Sequence, residues 1–403
     1  MELFRLEHKK LWRRKSVKIC ILLCFVYIVI FGNILSYQWF SFGSSGDVTN
    51  VFGNNFDGYS MIRERQEYSL GFDGELTDET LQQLVRDYQR MEAAGTVDEI
   101  EKTDVFTVNY WLRTLWPELM DTDSYHTMMS YVDPDKLTGF YERRQQLIEA
   151  FSGNNDQTGK EREYLLQMEQ KVEKPFRYEW VEGWLQILSS IVSDIGLVMA
   201  LFLAIVLSTM FAGEWHDNAS PLVLTTKNGW EKIAFAKILV GVSFAVEFFT
   251  ILAVGSIASQ IFFFGMAGWD MPIQTIMLTA VAPMNMLQAE IYEYAFTLLG
   301  AIGFAGVVMF LSAAVKNNVL ALLLSLAVAY GPMVIEEYLP YGIQRMLDLI
   351  PLVGSSTEIF YNNTFHLFGK IIWSPYLLMI VPILIGIVCM PAAVKSWSRR
   401  LKL

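Results

Sequence analysis

Cysteine, histidine and charged residues are all scarce in this chain of 403 residues. It has three cysteines and four histidines, and 18% of its residues are charged. All three cysteines lie in apolar runs, so the polar part of the chain must fold without disulfides. The histidines are too scattered to predict a metal site (His8, His126, His216 and His366).

Several functional motifs are missing as well. The sequence has no G-x-x-x-x-G-K-[ST] loop for a nucleotide and no H-E-x-x-H metalloprotease motif. Outside the terminal clusters it has no basic face of the kind that binds nucleic acid. We therefore expect no enzymatic activity, no cofactor held by this chain, and no nucleic-acid partner.

Long apolar runs dominate what is present, since 53% of the residues are apolar. A helix of about 20 apolar residues crosses the hydrocarbon core of a bilayer. The sequence predicts an all-α integral membrane protein with six transmembrane helices, the first at residues 17–40 and the other five within 183–395. Those five are expected at residues 184–211, 233–264, 294–315, 319–335 and 374–394.

Residues 41–182 separate the first apolar run from the second and differ from the rest in charge. They carry 28 Asp or Glu and 14 Lys or Arg, a net charge of −14. Apolar residues at helical spacing after Thr77, Leu137 and Lys160 predict a mainly helical domain. Aromatic residues concentrate in 105–116, and we interpret them as its core, with a binding surface as the alternative.

Positive charge predicts the orientation of the spans. Residues 1–16 mix leucines and aromatics with basic residues, which is typical of an amphipathic helix on the inner membrane surface. The tail 396–403 is also basic, whereas residues 265–293 and 336–373 contain two Lys or Arg between them. By the positive-inside rule, both termini and the loop 212–232 are cytoplasmic, and the domain 41–182 is extracytoplasmic. The absence of disulfides in that domain fits a bacterial cell membrane.

Several strings in this frame are similar to those of one transporter family. They are Lys174–Trp180, Glu182–Trp184, Gly213-Glu214, Pro221–Lys227, Lys237–Leu239 and Leu311–Asn318. With the order of segments, they make the chain resemble the permease subunits of ABC-2 type ATP-binding-cassette transporters, of the Gram-positive type with a large external domain after the first span. The resemblance implies partners: a second permease copy, identical or a sister chain, and two ATPase subunits that bind ATP and Mg. It says little about residues 41–173.

The same resemblance implies a role for the loop 212–232. In this family the loop forms a short coupling helix that docks on the ATPase, and here Asn218 or Ser220 would cap that helix. The residues expected to couple to the ATPase are Glu214, Ser220, Pro221, Leu222, Val223, Leu224, Thr225, Thr226 and Lys227. The turn Asn228-Gly229-Trp230 departs from the family's Arg-containing turn. A plain connecting loop is the alternative.

Two carboxylates, Asp194 and Glu247, fall inside predicted spans. An ionised Asp at the centre of a membrane helix costs ~2.5–3.5 kcal/mol on insertion scales, so each needs a partner or a cavity. We expect each to hydrogen-bond to a neighbouring helix or to line a substrate or ion path.

The function that these expectations favour is ATP-driven export of an amphipathic substrate such as an antimicrobial peptide, a drug or a lipid-like molecule. Two alternatives stay open. One is a membrane sensor with a ligand-binding external domain, and the other is an ion-coupled transporter that uses Asp194 and Glu247.

Overall fold

A computed structural model describes residues 2–29, 73–95, 105–121, 127–154, 158–216, 229–352 and 356–401. The chain is mostly helical in these ranges, and five segments are long and apolar enough to span a membrane: Gly183–Glu214, Trp230–Phe264, Met286–Ala314, Asn318–Tyr338 and Ser374–Arg399. The protein is therefore a membrane protein. Val17–Val29 forms a shorter apolar helix, and the remainder of the span predicted at 17–40 lies outside the described residues.

The helices and strands are numbered in chain order. The helices are α1 (Glu2–Trp12), α2 (Lys15–Val26), α3 (Asp78–Ala93), α4 (Val105–Leu115), α5 (Met128–Tyr131), α6 (Phe140–Asn154), α7 (Gly159–Glu169), α8 (Glu182–Gln186), α9 (Val192–Leu207), α10 (Thr209–His216), α11 (Gly229–Phe264), α12 (Met286–Ala314), α13 (Asn318–Ile335), α14 (Tyr341–Leu347) and α15 (Ser374–Leu401). The strands are β1 (Gly74–Leu76), β2 (Phe176–Tyr178), β3 (Thr364–Leu367) and β4 (Lys370–Trp373). The first of the five long apolar segments comprises α8, a π-helical turn at Ile187–Ile191, α9 and α10.

Two predicted boundaries are wrong. Helix α12 begins at Met286 rather than at residue 294, because Asn285 and Gln288 form a capping box at its start. Glu290 and Glu293, expected in the segment 265–293, therefore lie inside a spanning helix. Helix α15 continues to Leu401, so the predicted tail 396–403 is helical as far as it is described, and Trp397 is buried.

Helix α12 packs at close range on α15, because glycines remove the side chains between the two backbones. A Cβ on Gly303 would lie 2.5 Å from the carbonyl oxygen of Pro382, which no real Cβ tolerates. One turn further on, a Cβ on Gly306 would lie 3.2 Å from the Cα of Gly386. Small residues at this spacing let two membrane helices approach closely.

The polar domain folds around its aromatic residues, as expected. Thr77 caps α3, accepting a hydrogen bond from the backbone N–H of Thr80. Trp111 and Trp116 are fully buried, and the Trp111 ring meets Phe140 edge-on at 6.3 Å. The antiparallel ribbon of β1 and β2 was not expected; it pairs Leu76 with Phe176 and joins the start of the described part of the domain to its end.

This domain packs on the segment that links α11 to α12. The indole N–H of Trp111 donates to the carbonyl of Thr275 at 2.8 Å. Arg144, which is buried with Glu169, donates to the carbonyl of Ala280 at 2.8 Å. We call this side of the bundle the domain end, and the opposite side, where α1 packs on α11, the α1 end.

The segment 336–373 contains a short helix and a β-hairpin. Strand β3 pairs with β4 in antiparallel register, from Thr364 opposite Trp373 to Leu367 opposite Lys370. Phe368 and Gly369 both have positive φ, at 52° and 77°, as a two-residue hairpin turn requires. The chain then enters α15 directly.

Candidate functional site

At the α1 end, charged side chains join the helices on both sides of the predicted coupling loop. Lys237 of α11 donates to Glu214 of α10 at 2.8 Å and to Glu7 of α1 at 2.9 Å. Lys10 of α1 donates to the same Glu214 oxygen at 3.1 Å. Only 2% of the Lys237 side chain is exposed, so its charge depends on these two carboxylates for compensation.

A second group of contacts fixes α1 along α11. Glu247 lies 2.8 Å from His8 and accepts a hydrogen bond from the Trp12 indole at 2.8 Å. It also accepts one from Ser243 at 2.7 Å, one turn earlier on its own helix. Leu11 is buried in the same contact. The amphipathic helix predicted at residues 1–16 thus exists as α1, and the partner of Glu247 is this helix.

Asp194 has a different partner. It accepts a hydrogen bond from the hydroxyl of Tyr27, which follows α2. The structure therefore does not bring Asp194 and Glu247 into one site, and each is held by a neighbouring helical segment, as one of the two expectations had it. Whether either carboxylate lines a substrate or ion path stays a prediction.

A polar cavity of about 280 Å³ lies beside the first group. Its wall includes Lys10, Arg14, Thr209, Glu214, Lys237 and Asn318. The Arg14 guanidinium donates to the Thr209 hydroxyl at 2.7 Å, so α10 is also tied to the residue before α2. The cavity borders the start of α13, where Asn317 caps the helix by accepting from the N–H groups of Val319 and Leu320.

Of the residues predicted to couple to an ATPase, only Glu214 has a described position. Ser220, Pro221, Leu222, Val223, Leu224, Thr225, Thr226 and Lys227 lie outside the described residues. The described parts of the loop 212–232 are its two ends, on α10 and α11. These ends are cross-linked by the Glu214–Lys237 ion pair within a turn or two of the loop.

Sequence reasoning missed several residues of these groups. Lys237 was noted only as part of a familiar string, although a lone lysine inside an apolar run signals a buried partner. Glu7 and His8 were treated as general polar residues of an interfacial helix. Glu290 and Glu293 were placed outside the spans, and the signal that would have corrected this is the Asn285-x-x-Gln288 capping box before the apolar run.

At the domain end, Glu161 joins the polar domain to the hairpin. It accepts hydrogen bonds from Thr364 at 2.6 Å and from the backbone of Thr158 at 2.7 Å, and it lies 3.3 Å from His366. Burial alone would raise the pKa of this carboxyl, but the hydrogen bonds from Thr364, Thr158 and His366 lower its pKa to about 2. Glu161 is therefore an ionised acceptor at neutral pH.

Comparison with known protein families, with characterised proteins and with solved structures found no match to this chain.

Proposed function

We propose that this chain is the membrane-spanning permease subunit of an ATP-driven ABC-2 exporter that moves an amphipathic substrate. Five apolar helices long enough to span a membrane support a transport role. The sequence has no P-loop, so the energy would come from separate ATPase subunits that bind ATP and Mg. The permease would act with a second copy of itself or with a sister chain. It would lie in a bacterial cell membrane with both termini in the cytoplasm.

The observation that carries the proposal is the Glu214–Lys237–Glu7 network. A push on the loop between α10 and α11 would reach both helices together, because Lys237 and Glu214 hold their ends at 2.8 Å. It would also reach α1 through Glu7 and Lys10. Breaking a buried, hydrogen-bonded ion pair is costly, so this pair resists separation of the two helix ends. A loop that only connects two helices would not need such a link. The network therefore suits a loop that receives force.

The substrate class follows from the setting. An exporter whose large polar domain is tied to the segment between two spans, at Thr275 and Ala280, would handle its cargo at the outer membrane face. An amphipathic peptide, drug or lipid-like molecule partitions to that face from the bilayer.

The test is purification of the full chain from its native host, with and without substitutions in the loop. We expect the wild-type chain to bring down a P-loop ATPase, and we expect Leu222→Asp with Leu224→Asp to abolish both that association and export. Met120→Asp, at a partly exposed apolar residue of the polar domain, is the matched control and should change neither. A chain that brings down no ATPase, together with unchanged export in the loop variant, would refute the proposal.

A membrane sensor is the second candidate, favoured by the contacts of the polar domain with the segment linking α11 to α12. Ligand binding to the domain would shift Trp111 and Arg144. Through their bonds to Thr275 and Ala280, it would also shift the adjoining ends of α11 and α12. Such a sensor needs a separate effector, because the sequence carries no output domain. Substrate accumulation in ATP-loaded vesicles separates the candidates, since a sensor moves nothing.

A further inference from the structure

A group of buried polar residues lies between α11 and α12, towards the domain end. Glu290 and Glu293 are three residues apart on α12, so they face the same side one turn apart. They are 4% and 0% exposed, and they lie inside the span Met286–Ala314. Buried carboxylates in a spanning helix mark a functional site unless a partner explains them.

Helix α11 supplies the other wall. The Phe249 ring packs on the Tyr294 ring at 6.1 Å, and the hydroxyl of Ser256 faces the hydroxyl of Tyr294. Helices α11 and α12 run antiparallel. The residue one turn after Ser256 on α11 therefore lies beside the residue one turn before Tyr294 on α12. Gln260 is therefore level with Glu290. Ser256 is 0% exposed and Gln260 is 1% exposed.

The Ser256 and Tyr294 hydroxyls bond to each other. Four further polar atoms of this group are buried without hydrogen-bond partners among the described residues: both carboxylate oxygens of Glu293, one oxygen of Glu290 and the amide nitrogen of Gln260. Each unsatisfied buried group costs ~1–3 kcal/mol, and native structures contain few of them. Four in one place, from two helices, point to a ligand that they share.

The charged groups around the site indicate which charge the ligand carries. No ion pair between Glu290 or Glu293 and a basic residue occurs in the described part of the chain. The titratable groups around this turn of α12 are Tyr292, Tyr294, Tyr376 and Glu358, and the charges of Asp348 and Arg345 act on Glu358. Two ionised carboxylates would repel each other here, and no described basic residue pairs with either of them. A positive ligand would supply the missing charge.

We propose that Glu290, Glu293, Gln260, Ser256 and Tyr294 form a membrane-buried proton-binding site. A proton fits better than a divalent metal, because the described residues contain no group of three His, Cys, Asp or Glu side chains that could hold a metal ion. With α11 and α12 closed as they are here, both carboxyls hold a proton. When the two helices separate, water reaches the carboxyls and the protons pass to the aqueous phase at the domain end. This inference does not depend on which partner drives the chain.

Infrared difference spectroscopy on the full chain in lipid nanodiscs tests the proposal. At neutral pH we expect a carboxylic-acid C=O band that shifts in D₂O and disappears when the pH is raised. Glu290→Gln and Glu293→Gln should each remove part of this band, and the double variant should remove the whole contribution of the pair. Glu214→Gln is the matched control, because Glu214 is ion-paired and should contribute no acid band.

Stability measurements guard against misfolded variants. A glutamine has nearly the shape of a protonated glutamate, so each Gln variant should keep the thermal midpoint of the wild-type protein, whereas Glu293→Lys should lower it. The proposal is overturned if the acid band of the wild-type protein survives in the double variant. It is also overturned if the pair shows only carboxylate bands whose position depends on added Na⁺, because the bound cation is then a metal ion.

Discussion

Lys237 lies between Glu214 and Glu7, 2.8 Å from one and 2.9 Å from the other, so a single ammonium group joins three helices at the α1 end. Two of these helices, α10 and α11, carry the ends of the predicted coupling loop, and the third is the amphipathic helix α1. The pair Lys237–Glu214 therefore links the two ends of the loop.

Lys237→Met should destabilise the protein, because it removes the buried cation between Glu7 and Glu214 and leaves Glu214 with the exposed Lys10 alone. Breaking a buried ion pair by removing one partner costs about 3–5 kcal/mol. We expect a lower thermal midpoint in nanodiscs and loss of α1 docking, seen as faster hydrogen exchange at residues 2–12. Lys232→Met, at an exposed lysine of the same helix, is the control. Equal stability of the two variants would contradict this account of the network.

Gly303→Ala should force α12 and α15 apart. Its Cβ would lie 2.5 Å from the backbone oxygen of Pro382, and backbone cannot move aside as a flexible side chain can. Strain of this kind costs typically about 1–3 kcal/mol, so the thermal midpoint should fall. Gly331→Ala is the matched control, because no atom lies within 4 Å of a Cβ at that glycine of α13. A drop for Gly331→Ala as large as that for Gly303→Ala would show that close packing is not the cause.

The contact between Glu161 and the hairpin should weaken in acid. Because the pKa of folded Glu161 is about 2, below its ordinary value of 4.5, the ionised carboxylate stabilises the folded state above about pH 4.5. That contribution is lost as the pH falls from about 4.5 towards 2. We expect hydrogen exchange in residues 364–373 to rise over this range, after correction for the intrinsic rate.

Thr364→Val separates this contact from general acid unfolding. It removes a hydrogen bond to a charged group, which is worth roughly 1.5–3 kcal/mol. The hairpin should therefore exchange faster at neutral pH, with a weaker acid dependence than in the wild-type protein. Exposed Thr138→Val should leave the hairpin unchanged. An acid dependence identical in wild type and Thr364→Val would rule out Glu161 as its source.

Asp194→Asn with Glu247→Gln distinguishes ATP-driven export from ion-coupled transport. The amides keep hydrogen-bonding capacity towards Tyr27 and towards Trp12 and Ser243, so the fold should survive. We expect the double variant to retain ATP-dependent export in vesicles. An ion-coupled carrier would lose transport in the same variant, and the gradient-driven component can be measured directly by omitting ATP.

Much of the helical frame could be predicted because apolar runs and helix caps are local signals. Thr77 before α3 and the turn at Lys316–Asn318 were recognised from a few neighbouring residues, and the structure confirms both. The start of α12 was missed because Glu290 and Glu293 make its first turns resemble a polar loop. Both are buried, and their burial depends on neighbouring helices that a local pattern does not identify.

Other features depend on distant pairings that no local pattern reveals. Strands β1 and β2 have three residues each, too few for an alternating pattern, and their pairing is fixed by the domain folding between them. The aromatic residues of α4 were correctly assigned to a core. Trp111 also donates a hydrogen bond to Thr275, which lies between two spans. The two residues are 164 positions apart in the sequence, so no local pattern indicates this contact.

The ribbon of β1 and β2 has one more consequence. Leu76 and Phe176 are direct partners, so the chain departs from one point and comes back beside it after folding the intervening helices. The distance between Leu76 and Phe176 is therefore set by the strand pairing and does not depend on the number of residues between them. The helices between the two strands therefore add no distance between the points at which the chain enters and leaves this ribbon.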